Sequence, residues 1–185
     1  MDALAVFSRQ VLSRSSDHKR AMSVLEQASI PSQMIAVLRQ ELDSMVRVIY
    51  LLCQDPVRRM SLVEASVNGV QWKQPGDRGR VTDREMVELA QQLQGWTASV
   101  YKFGCAFIHL SNLHDYNDRD PLRQLNVEDR EAILAHCRYY HGGPARSDFE
   151  DLLPYLPKAL EKVSGNLVCY LKQLQDGVSH RPDEI

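Results

Sequence analysis

The residues best suited to chemistry gather in one stretch, His109-Leu110-Ser111-Asn112-Leu113-His114-Asp115-Tyr116. Two imidazoles, an amide, a carboxylate and a phenol meet there, followed by Asn117, Asp118 and Arg119. Imidazole titrates near neutral pH, so each histidine is fit to take a proton or to give one. The two are five positions apart, which is about 140° around an ideal helix. One helix presents both to one ligand only if it distorts, or if a second copy of the chain completes the cleft. His136 and His141 repeat the spacing of five, with Cys137 beside the first. Helical metal ligands stand three or four apart, and no Glu-x-x-His motif is present, so neither pair predicts a metal site.

A second cluster is basic: Lys73, Arg78 and Arg80 in the stretch 68–81, next to Trp72. Such a loop is fit to touch an RNA backbone while the indole stacks on a base. A Pro-Gly loop carrying cations is also, more plainly, a solvated connection.

These residues need elements to hold them, and the periodicity is helical nearly throughout. The patterning predicts helices over Ala3 to about Arg14, 17–29, 31–52 and 56–66, with Asp55-Pro56 as cap and first residue of the fourth. Val67 to Trp72 is the best strand candidate, and its Asn68-Gly69 either turns a hairpin or caps a helix. Thr82-Asp83-Arg84-Glu85 is a capping box. From Met86 to His114 apolar residues recur at spacings of three and four, which predicts one long, deeply buried helix over 83–115. Further helices are expected over 127–140 and 157–176, with a short turn from Asp148 and a loose tail over 178–185. The expected fold is all-α: a single domain, 1–185, built as a bundle of six or seven helices.

His114-Asp115-Tyr116 at the end of a core helix in a bundle of this size resembles the H-x-Y of the HEPN (higher eukaryote and prokaryote nucleotide-binding) domains. Their motif is R-x4-H-x-Y, and its Arg position is occupied here by His109. The resemblance covers the central and final helices. It implies a metal-independent ribonuclease, often dimeric, of the kind found in toxin–antitoxin or phage-defence systems. His109, His114 and Tyr116 would then be catalytic, with Asn112, Arg119, Lys73, Arg78 and Arg80 on the RNA. Such a site needs a base for the 2′-hydroxyl, an acid for the leaving oxygen and a cation for the phosphorane. Histidine at 109 removes a permanent charge and a bidentate phosphate clamp. The substitution gives either an altered site or one retained for binding, and Arg119, Lys102 or the basic loop would have to supply the charge.

Composition narrows the remaining choices. With 185 residues, 44% of them hydrophobic, the chain can bury a core, and its net charge of −2 excludes a uniformly basic nucleic-acid coat. There is no Gly-rich phosphate loop, nucleophile elbow or dinucleotide fingerprint, so no cofactor is expected. No apolar run is long enough for a membrane span, and the start does not read as an export signal, which predicts a cytoplasmic protein. The four cysteines, at 53, 105, 137 and 169, sit in apolar helical patterns and are expected to be buried and reduced. The expected partners are RNA, an antitoxin-like protein and a second copy of the chain, with no membrane. The alternative to the ribonuclease is a non-enzymatic helical adaptor or regulator that binds a protein partner. A small metal-binding bundle is a third, and it requires both histidines of a pair plus further ligands.

Overall fold

The computed structural model describes residues 2–77 and 79–180. Its helices are α1 (Ala3–Gln27), α2 (Pro31–Leu52), α3 (Pro56–Val67), α4 (Asp83–Gln94), α5 (Thr97–Ile108), α6 (Pro121–Gln124), α7 (Val127–His141), α8 (Phe149–Leu152) and α9 (Leu156–Gln175). Among the described residues there is no strand, only an isolated antiparallel bridge between Lys73 and Arg80. The fold is an all-α bundle, and no helix among these residues is long and apolar enough to cross a membrane.

α2 is the axle. It buries most of its residues, from Met34 and Ile35 to Leu51 and Leu52, polar Arg39, Glu41 and Ser44 among them, as a helix surrounded by others must. α1, α4, α5 and α9 pack around it. Its C-terminal carbonyls would be orphans in the core. Buried Arg59 of α3 takes them, donating from Nε to Leu51 O at 3.0 Å and from Nη2 to Leu52 O at 3.1 Å. The same guanidinium reaches Ser179 Oγ at 2.6 Å, and the His180 N–H bonds Leu52 O at 3.0 Å. Ser179 and His180, expected to be loose, are therefore docked on the end of α2; residues 181–185 lie outside the described residues.

Two boundaries differ from the sequence expectation. Ser15-Ser16-Asp17 does not divide α1. Ser15 spends its hydroxyl on a longer-range partner, donating to Glu41 Oε1 at 2.5 Å, and is buried there instead of capping a new helix. The long helix over 83–115 is likewise absent. Gly95 takes a left-handed φ of 71° and its N–H closes α4 on Gln91 O at 2.8 Å. The Gln91 side chain then caps the next helix, accepting from the Ala98 N–H at 2.9 Å and from Thr97 Oγ1 at 3.2 Å. The apolar stripe runs on across the break because α4 and α5 both pack against α2. Asn68-Gly69 proves to be a helix terminus, with Gly69 at φ 68° and the Val70 N–H on Ala65 O at 2.7 Å.

Among the described residues the one carboxylate in the centre is Glu41 of α2, with no solvent exposure. It accepts from His18 Nδ1 of α1 at 2.6 Å, from Ser15, and from Ser164 Oγ of α9 at 2.7 Å. Burial alone would raise its pKa, but the three donors outweigh burial and hold it below the usual carboxylate value. Its contribution is therefore present above the unfolded value of 4.5 and is lost as pH falls through the lower folded value. Acid titration of urea stability is expected to show a loss beginning near that point that is missing in Glu41→Gln. Glu41→Ala should cost about 3 kcal/mol, the scale for stripping one partner from a buried polar network. Gly104→Ala tests the α2–α5 approach: its new Cβ would lie 2.6 Å from Arg39 Cβ. The same denaturation is expected to show a loss of about 1–3 kcal/mol.

Candidate functional site

His109 lies beyond the last turn of α5, on extended backbone and exposed to solvent. Ser111 ends that helix by donating to Ala106 O at 2.7 Å and accepts from the Leu113 N–H at 3.2 Å. A 3-10 turn at Asn112–His114 follows. His114 is half-buried against Phe107, with 5.6 Å between ring centroids. Its Nδ1 accepts from the Ser111 N–H at 3.3 Å, which places a neutral ring's proton on Nε2. Tyr116 is half-buried between Phe107 and Phe149, its hydroxyl 3.5 Å from Ser32 Oγ. Among the described residues no hydrogen bond or ring contact joins His109 to His114.

The other residues named from the sequence are spread apart. Asn112 donates to Gln124 Oε1 at 2.7 Å, and Arg119 pairs with Asp115 at 3.3 Å. Asp120 caps α6 and accepts from the Phe149 N–H at 3.1 Å. The cleft that Tyr116 does line also holds Glu26 and Glu150. This is an acidic neighbourhood, unfavourable for phosphate. The basic loop is elsewhere. The Lys73 carbonyl accepts from Arg58 Nη2 at 2.9 Å, and Trp72 stacks on Tyr50 at 5.7 Å. Tyr50 and Ser32 are about 27 Å apart along α2 at 1.5 Å per residue, so Lys73 and Arg80 do not join His114. Arg78 lies outside the described residues. Trp72 is buried, its indole N–H bonded to Leu62 O at 2.9 Å and Ser66 Oγ at 2.8 Å, and is not free to stack on a base.

A further site, among the described residues, is one that the sequence left unassigned. An almost wholly apolar cleft of about 80 Å³ lies between α5 and α9, with α2 beneath and α7 across it. Ile35 and Leu38 of α2, Val100 and Phe103 of α5, and Leu156, Ala159 and Val163 of α9 supply the walls. Trp96 enters from the break between α4 and α5. Its indole N–H is held by Gln94 Oε1 at 3.1 Å, and Gln94 is itself fixed by Tyr170 and by Asn166 Nδ2 at 3.3 Å. α7 contributes Ile133, His136, Cys137, Tyr140 and His141, yet buries only Leu134 and Cys137. The second histidine pair thus faces one cavity, as the first does not. Gly143 leaves room for Tyr155, whose hydroxyl would be 2.0 Å from an added Cβ.

Electrostatics in this cleft follow from burial. Desolvation lowers the pKa of His136, and desolvation together with Lys162 and Lys158 lowers that of His141, against the opposing effect of Glu161. Both rings are therefore neutral at pH 7. Burial pushes the Cys137 thiol up to about 11, despite Lys158 and Arg138 nearby. Among the described residues no group of three His, Cys, Asp or Glu side chains is arranged to hold a metal. No family model, no curated protein and no solved structure matches the chain.

The thiols make a direct check on this geometry. Cys137 is buried, Cys53 and Cys105 are half-buried, and Cys169 is exposed, where the sequence pattern predicted burial for all four. At pH 7.5 a maleimide is expected to label Cys169 within minutes and Cys137 only after denaturant is added. Rapid labelling of Cys137 in the folded protein would overturn its burial beneath α7.

Proposed function

We propose that this chain is a non-catalytic binding module, an adaptor or regulator that holds an apolar group of its partner or ligand in the cleft beneath α7. The observation that carries the reading is the cleft itself. It is concave, apolar, built from four helices, and supplied with a few polar groups at one side, which is the usual make-up of a ligand site. The neutral histidines suit binding, since each offers one donor and one acceptor at little desolvation cost.

The ribonuclease reading keeps its support in His114-Asp115-Tyr116. It requires a cation facing His114, and the nearby Arg119 is already paired with Asp115. A second copy of the chain would have to bring that charge.

The two readings part in one pair of assays. Titration with 1-octanol is expected to change Trp96 fluorescence saturably. Ala159→Phe, which fills the cleft from α9, should weaken the response at least tenfold. A linear, unsaturable response that persists in Ala159→Phe would overturn the binding reading. Incubation with RNA and a chelator is expected to leave the RNA intact. Cleavage that disappears in a folded His114→Ala variant would instead place the function at 109–119.

A further inference from the structure

The cleft has a charged mouth, with two cations, Lys158 and Lys162, and one carboxylate, Glu161, acting on His141. Lys158 and Lys162 stand four residues apart on α9 and so share a face. Lys162 lines the cleft, with its ammonium 3.9 Å from the centre of the Tyr140 ring. The Lys158 ammonium sits 4.8 Å from the centre of the Tyr155 ring, another lining residue. Each lysine thus stands over an aromatic face, Lys162 half-buried and Lys158 exposed at the rim. Neither forms an ion pair among the described residues, although the chain as a whole carries a net charge of −2. Glu161, the carboxylate that acts on His141, does not close onto either ammonium. Two like charges at i and i+4 repel, and this repulsion is left standing beside an apolar cavity. An anion seated between them would relieve it.

The size of the cavity selects the tail that the anion carries. A closed apolar cavity of about 150 Å³ accommodates benzene. At about 80 Å³ this one takes the end of a narrow aliphatic chain more readily than a ring. Building on the binding reading above, we infer that the cleft recognises a small aliphatic carboxylic acid, with the chain end against Phe103 and Val163 and the carboxylate between Lys162 and Lys158. His141, on the same side, is placed to donate a further hydrogen bond from its neutral ring.

Octanoate, 1-octanol and octylamine share a chain and differ in the head, so comparing them isolates the lysines. Binding is read from Trp96 fluorescence. Octanoate is expected to bind about tenfold more tightly than octanol, the scale of one charge-assisted contact, and octylamine more weakly than either. Lys162→Met keeps the stem and removes the charge; it should abolish the preference for octanoate over octanol, and Lys162→Arg should retain that preference. Lys158→Met provides the same test from the second cation. If octanoate is no tighter than octanol while octanol still saturates, the headgroup assignment fails and the apolar cleft stands. An equal loss of octanol and octanoate in Lys162→Met also overturns it, because the lysine would then only shape the cavity. If no ligand moves the Trp96 signal, this inference falls together with the binding reading.

Discussion

A carboxylate with no access to water is the constraint around which this bundle is arranged. Glu41 sits in the middle of α2, and an unpaired charge there would cost several kcal/mol. Its donors come from both neighbours: Ser15 and His18 from α1, and Ser164 from α9. Apolar packing alone tolerates small slips between helices. This network does not. Advancing α9 by one residue rotates Ser164 by about 100° around its axis and leaves Glu41 one donor short. The network therefore sets register as well as contributing stability, and it sets it for the three longest helices at once.

That register reaches the candidate site through a single residue step. Ser164 follows Val163, which lines the cleft, and Ile35 and Leu38 line it from the same α2 that carries Glu41. On the other side Arg39 of α2 lies over the Tyr101 ring at 3.8 Å and beneath Gly104 of α5, where only a hydrogen fits. The floor and two walls are thus tied to the core by specific contacts. α7 is different. It buries two residues and is anchored mainly at its ends, by Lys102 on Asp129 at 2.5 Å and by Arg138 Nε on Pro144 O at 3.0 Å. A lightly buried element lying over a rigid cavity belongs to the low-stability end of a structure, where ligand-gating segments are found.

The sequence made the helices legible wherever the signal was local. Asp55-Pro56 and the Thr82–Glu85 box are caps, and each caps the helix that it predicts. Errors arose where one residue had two possible partners. Ser15 reads as a cap because its local grammar is that of a cap, but its partner, Glu41, is 26 residues away. Gly95 reads as a tolerated helix residue because the stripe from Met86 to Phe107 is unbroken, yet two helices packed on one axle produce the same stripe as one. The total of long helices agrees with expectation only because a merger in α1 and a break at Gly95 cancel. The cleft was not legible at all. Its lining comes from α2, Trp96 at the break, α5, α7, α8, the turn at Tyr155 and α9, and no pattern along the chain marks side chains that converge from so many elements.

Two histidine pairs with the same spacing have ended in opposite environments, and the reason lies in what precedes each. His109 and His114 straddle the end of α5, so the backbone between them is irregular. His114 is consumed locally, satisfying the Ser111 N–H within a terminal turn. His136 and His141 stand within one continuous helix laid across a cavity, so both line it despite their angular offset, one nearer its middle and one at its end. A spacing of five prevents two rings from gripping one ion, but it does not prevent them from bordering one cavity. His114 is spent on folding, while His109 stands exposed beyond the helix end. The second pair is desolvated, neutral and beside two cations, and on this difference rests the proposal that places binding beneath α7.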